Sequence, residues 1–78
     1  MQEQKTKLRQ IREDVLHATK EDVIRMVRKL PLSTYVRAED VGIVQYSTAT
    51  KILDAINAVA KEQGIAEYKL EDLGLTFA

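Results

Sequence analysis

The chain has 78 residues, a length that allows one small domain with a thin hydrophobic core. It contains no cysteine and one histidine, which excludes disulfide bonds, cysteine nucleophiles and thiolate zinc sites, and no carboxylate cluster offers a metal site instead. Its 12 basic and 12 acidic residues balance, so bulk charge neither demands nor excludes a polyanionic partner. The longest uncharged run, residues 41–50, is too short and too polar to cross a bilayer, and no secretory segment follows the N-terminus; we expect a cytoplasmic protein.

The first predicted helix covers residues 3–17, because Leu8, Ile11 and Val15 recur at helical spacings. Its apolar stripe is narrow and most other positions are charged, so the helix has room for a single neighbour. We interpret residues 1–18 as an N-terminal helix that precedes a domain of residues 19–78. Dimerisation through Leu8, Ile11 and Val15 is the role that we favour for it.

A second helix is predicted from Thr19 to about Leu30. Thr19 is followed by Lys20-Glu21-Asp22, which is typical of a capped helix start with acids in its first turn, and Pro31 disfavours helical geometry at the residue before it. The apolar spacing passes through Ala18 without a sharp break. A single continuous helix therefore remains an alternative to two separate ones.

The middle of the chain predicts a short strand at 32–36, rich in β-branched and aromatic residues, and a short helix at 37–43 closed by Gly42. After a break, the longest helix is expected from Ser47, a good capping residue, to about Gln63, with Gly64 as a left-handed cap. Six apolar residues form its core-facing stripe: Ala49, Ile52, Leu53, Ile56, Val59 and Ala60.

The C-terminal residues predict a β-hairpin. Apolar and polar residues alternate over 65–70, residues 71–74 supply turn formers, and residues 75–77 can return as the partner strand. The expected fold class is therefore mainly α with a small β-hairpin.

Three short segments form a pattern. Ala38-x-x-x-Gly42-Ile43 has a small residue four positions before a glycine, and Ser47-Thr48-Ala49-Thr50-Lys51-Ile52-Leu53 is a Ser/Thr-rich helix start. Lys61-Glu62-Gln63-Gly64-Ile65 places a glycine after the helix. This pattern resembles the winged helix-turn-helix family over residues 21–78. The resemblance implies a winged helix-turn-helix fold, here with an additional N-terminal helix, and duplex DNA as the partner. Ser47 follows Gly42 by five positions, so the turn is longer than in compact members of the family.

The resemblance makes the helix that begins at Ser47 the recognition helix and the hairpin the wing. Its hydroxyl, amide and cationic side chains suit contacts to phosphates and base edges, although such residues are also ordinary on a solvated helix. The expected DNA-binding residues are Arg37, Tyr46, Ser47, Thr48, Thr50, Lys51, Asn57 and Lys61, with additional phosphate contacts from Arg25, Arg28, Lys29 and Lys69.

The function expected from this pattern is a small sequence-specific DNA-binding protein, either a transcriptional regulator or a plasmid- or phage-type DNA-transaction factor. It would act as a homodimer and be nucleoid-associated. No cofactor, small-molecule substrate or catalytic constellation is evident, so we do not expect an enzyme. Residues 38–78 carry three basic and seven acidic groups. This acidic half favours the alternative, a protein–protein interaction module built on a winged-helix fold.

Overall fold

The computed structural model describes residues 6–27 and 30–78, which are mainly helical with a small two-stranded sheet. In chain order the elements are α1 (Lys7–Gln10), a π-helical segment that continues it (Ile11–Val15), α2 (Lys20–Ile24), α3 (Leu32–Val41), β1 (Ile43–Val44), α4 (Tyr46–Glu62), a 3-10 helical segment (Leu70–Leu73) and β2 (Thr76–Phe77).

The first two helices are separate, so the continuous helix that the sequence left open is wrong. His17 has a φ of 51°, outside right-handed helical geometry, and it lies between the π-helical segment and α2. Thr19 then caps α2: its side chain accepts a hydrogen bond from the Asp22 amide, and the Asp22 carboxylate accepts one from the Thr19 amide. The strong cap explains why a new helix begins here.

Helix α2 is shorter than predicted. After Ile24 the backbone tightens, and the amides of Met26 and Val27 donate to carbonyls three residues back, at 3.1 and 3.3 Å. The predicted end near Leu30 is therefore wrong. Of the predicted phosphate contacts, Arg28 and Lys29 lie outside the described residues.

Residues 32–36 are helical, so the predicted strand is wrong. They form the first half of α3, whose buried residues Tyr35, Ala38 and Glu39 follow the three- and four-residue spacing of a helix face. Burial of this face overrides the β propensity of the local sequence. Gly42, with a φ of 79°, ends α3 as the pattern predicted, and its amide donates to the Ala38 carbonyl.

Among the predicted elements, helix α4 agrees best with the structure. It begins at Tyr46, one residue before the predicted start, and its buried face includes Ile52 and Ile56, both 0% exposed. The N-cap is Gln45, so the predicted capping role of Ser47 is wrong, because Ser47 lies inside the first turn. Gly64 (φ 72°) and Ile65 end it: the Ile65 amide donates to the Ala60 carbonyl, which closes the wide turn expected of a left-handed glycine cap.

The predicted hairpin is wrong, because β2 pairs in parallel with β1 rather than with residues 65–70. Ile43 lies opposite Thr76 and Val44 opposite Phe77. The Thr76 amide donates to the Gly42 carbonyl at 2.7 Å, which fixes this register. Because parallel strands need a long connection, α4 and the segment after it form the crossover.

The N-terminal segment belongs to the same core as the other helices. Leu8 (0% exposed), Ile11 (9%) and Leu16 (1%) cluster with buried residues of α3 and α4 and with Leu73. Residues on both sides of the predicted boundary at 18 thus form one hydrophobic cluster. Leu8 and Ile11 are covered by their own chain. The prediction that they form a dimer surface is therefore corrected. Val15 (44% exposed) stays accessible, and dimerisation itself stays a prediction.

A buried ion pair joins the π-helical segment to α3. Arg12 and Glu39 are 6% and 1% exposed, and two hydrogen bonds link them: Arg12 Nε to Glu39 Oε2 at 2.5 Å and Arg12 Nη2 to Glu39 Oε1 at 3.0 Å. Arg12 Nη1 also donates to the Ala18 carbonyl, and the Thr6 hydroxyl donates to the Glu39 carbonyl. The hydrogen bonds that Arg12 donates to the Glu39 carboxylate raise the pKa of Arg12, which keeps the guanidinium group charged.

Candidate nucleic-acid interface

The connection between α3 and α4 has the dimensions of a helix-turn-helix turn. It spans the four residues 42–45, starts with the left-handed Gly42 and contains β1. Ala38, four residues before that glycine, is 0% exposed. The turn is shorter than the sequence predicted, because α4 starts at Tyr46 and not at Ser47.

One face of α4 is turned to solvent along its whole length. At 3.6 residues per turn, Ser47, Lys51, Asp54, Ala58 and Lys61 lie along this face, opposite the buried residues. We call it the α4 solvent face. Within the described part of the chain, its two lysines and its aspartate form no ion pair.

The N-terminal end of α4 presents backbone amides and polar groups together. The Gln45 side chain does not cap the helix. The amides of the first turn have no intrahelical partner, as at any helix start. Ser47 is exposed, and the Thr50 hydroxyl donates to the Ser47 carbonyl at 2.8 Å. The positive end of the helix dipole adds to a local environment that favours an anion.

Tyr46 is 61% exposed and lies against Phe77 of β2. The two ring centroids are 5.4 Å apart, and the rings meet edge to face at 75°. The C-terminal strand is therefore part of the surface beside the start of α4. The sequence placed Phe77 in a wing and gave no signal for this contact.

The predicted site residues differ in accessibility. Exposed residues are Arg37, Tyr46, Ser47 and Lys61, and half-buried residues are Thr48, Thr50, Lys51 and Asn57. The structure gives Asn57 another role: its side-chain amide donates to the Tyr68 carbonyl at 3.1 Å, and its oxygen accepts from the Tyr68 amide at 2.7 Å. Both polar atoms of Asn57 thus hold the backbone of Tyr68, and its contact with DNA stays a prediction.

The additional phosphate contacts also do not gather at one place. Arg25 forms an exposed ion pair with Asp22 at 2.9 Å and lines a groove with Val59 and Glu62. It therefore lies beside the C-terminal end of α4, about 22 Å along the helix from Ser47 at 1.5 Å per residue. Lys69 is exposed and lines a groove with Phe77.

Comparison with protein-family models, curated proteins and solved structures finds no match for this chain. Among residues 6–27 and 30–78, no group of three His, Asp or Glu side chains is placed to hold a metal ion. No helix in those ranges combines the length and the apolar character needed to span a membrane.

Proposed function

We propose that the chain binds duplex DNA with a helix-turn-helix formed by α3, residues 42–45 and α4. The observation that carries the proposal is the four-residue turn begun by a left-handed glycine, which leads into a long helix with an uncapped start and an exposed polar face. The proposal keeps the helix-turn-helix of the winged family. It omits the hairpin wing, because residues 65–77 do not form one.

In this proposal the first turns of α4 enter the major groove. The Ser47 hydroxyl and the neighbouring backbone amides contact a phosphate, and the Lys51 ammonium group adds a charged contact. Tyr46 offers a phenol ring to bases and a hydroxyl to the backbone. Arg37, exposed on α3, reaches the flanking phosphates.

The affinity of one chain is expected to be low. This proposal assigns three of the described cations, Arg37, Lys51 and Lys61, to phosphates, and Asp54 lies between the two lysines on the α4 solvent face. With three phosphates neutralised, the logarithm of the binding constant should fall with the logarithm of salt concentration with a slope of about −3.

The test is fluorescence anisotropy with a pool of labelled 20-base-pair duplexes, titrated with the chain at several salt concentrations. We expect saturable binding and a linear log–log plot, and Lys51→Ala should make the slope less negative by about one. Lys20→Ala is the control, because Lys20 begins α2 and is not part of the proposed helix-turn-helix. Binding without salt dependence, or an equal effect of both substitutions, would contradict the proposal.

A second candidate function, interaction with another protein, is favoured by exposed apolar side chains around the β1–β2 sheet. Val41 (54% exposed), Ile43 (52%) and Phe77 (45%) are unusually accessible for residues of their size. If a protein partner covers them, Ile43→Ser should abolish its capture and leave duplex binding unchanged. Loss of duplex binding in Ile43→Ser would count against this second function.

A further inference from the structure

An open groove lies between the π-helical segment and residues 65–68, away from the proposed DNA interface. Its volume is about 660 Å³, and none of the residues that line it belongs to α3 or α4. It is open along one side rather than enclosed. Its form therefore suits one face of an extended or helical segment better than a small molecule that would need enclosure on most sides.

The floor of the groove is apolar and partly exposed. Ile11 and Val15 contribute from the π-helical segment, and Ile65 and Tyr68 contribute from the opposite wall. Val15 is 44% exposed, whereas Leu16, the next residue, is 1% exposed and packed in the core. Single π-helical turns occur often at functional sites, and this one places Val15 on the groove instead of in the core.

The rim of the groove is acidic. Asp14, Glu67 and Asp72 stand around the apolar floor, and Lys7 is the one lysine among the described residues that line the groove. The aliphatic part of Lys7 is packed over Gly74, with its Cδ 2.9 Å from the place that a Cβ there would occupy. The Asp72 carboxylate accepts a hydrogen bond from the Lys69 amide at 2.7 Å. The excess of negative charge makes this groove unsuited to DNA.

We propose that this acidic groove binds a basic amphipathic helix of a partner protein. The apolar side of such a helix covers Val15, Ile65 and Tyr68, while its lysine or arginine side chains meet the carboxylates of the rim. Helix-in-groove recognition uses this division between apolar anchors and complementary charge. The inference is independent of DNA binding, because it uses a different surface.

The test uses a fluorescein-labelled 15-residue peptide of leucine and lysine, with leucine at positions that form one helix face. Two comparison peptides are needed: one with the same composition in scrambled order, and one with glutamate in place of lysine. We expect one-to-one saturable binding of the first peptide to the full chain by fluorescence anisotropy. Each comparison peptide should bind at least tenfold more weakly.

Two variants locate the binding. Val15→Ser removes an exposed apolar contact and Glu67→Gln removes a rim charge, and each should weaken binding of the leucine–lysine peptide roughly fivefold. Glu71→Gln is the matched control, because Glu71 is a nearby acid that lines a different groove. If Val15→Ser fails to fold, as a thermal melt would show, Glu67→Gln still decides the question.

Three results would overturn the inference. The first is equal binding of the scrambled or the glutamate peptide. The second is unchanged binding in both Val15→Ser and Glu67→Gln. The third is a concentration-dependent dimer in sedimentation experiments that Val15→Ser abolishes, because the groove would then be covered by a second copy of this chain.

Discussion

The buried ion pair between Arg12 and Glu39 gives the largest stability effect that we predict for a single substitution. In Arg12→Ala the Glu39 carboxylate, 1% exposed, would stay buried without its counter-ion. Removal of one partner of a buried pair costs roughly 3–5 kcal/mol. A domain of this size has a free energy of unfolding of about 4–12 kcal/mol, at 0.05–0.15 kcal/mol per residue. Arg12→Ala is therefore expected to lose a large part of its total stability.

Replacing both partners should behave differently. In Arg12→Met/Glu39→Leu no charge is left in the core, and apolar pairs of similar volume are often neutral or stabilising in such places. We expect the double variant to be more stable than Arg12→Met alone or Glu39→Leu alone. The double-mutant cycle should give a coupling energy of several kcal/mol, because the two side chains share two hydrogen bonds.

Urea unfolding followed by circular dichroism at pH 7 measures these free energies, since a small single domain is expected to unfold in two states. Arg9→Ala is the control, because Arg9 forms a half-exposed ion pair with Glu13 one helical turn away, and pairs in contact with solvent contribute little to stability. The reasoning is refuted if Arg12→Ala costs no more than this control. It is also refuted if the effects of the two single substitutions add.

Three further predictions concern other buried or constrained groups. Tyr35→Phe should not destabilise the chain near neutral pH, because the buried Tyr35 hydroxyl makes no hydrogen bond within the described residues. Burial and the Glu39 carboxylate raise the pKa of Tyr35, so as the pH rises this phenol ionises in the unfolded chain before it does in the folded chain. The free energy of unfolding should therefore fall above pH 10. Between pH 8 and 11 the urea midpoint should fall less in Tyr35→Phe than in the unmodified chain. Gly74→Ala should lower the melting temperature more than Gly42→Ala, because both have positive φ but only at Gly74 would a Cβ meet the Lys7 side chain. Asn57→Ala should lower the free energy of unfolding by about 1–3 kcal/mol, because the Tyr68 amide donates to the Asn57 side chain. The Tyr68 amide should also lose its hydrogen-exchange protection, and full protection in the variant would contradict this.

The parts of the fold that follow from local periodicity could be predicted, and the parts that depend on distant partners could not. The stripe that includes Ile52 and Ile56 is long and regular, so α4 was predicted to within one residue at each end. Residues 32–36 have β propensity, but the burial of Tyr35 makes them helical. The two residues of β2 find their partner more than 30 positions earlier, and no local pattern indicates that pairing.

In the candidate site too, features that follow from local helical spacing could be predicted, and those that depend on distant residues could not. The exposure of Ser47 and Lys61 follows from the helical spacing of α4, and the structure confirms it. The role of Asn57 depends on Tyr68, which approaches α4 only after the chain has reversed at Gly64. Arg12 and Glu39 look like ordinary solvated charges in the sequence, because nothing local indicates that residues 27 positions apart will meet in the core.

The measurement that tests the proposed DNA interface most directly is the affinity of Asp54→Asn and Lys51→Ala for the same duplex pool at low salt. Both residues lie on the α4 solvent face, one turn apart and with opposite charges. If this face meets phosphates, Asp54→Asn should bind roughly fivefold more tightly than the unmodified chain, and Lys51→Ala should bind more weakly by a similar factor. Unchanged affinity in both variants, or weaker binding by Asp54→Asn, would contradict a DNA interface on α4.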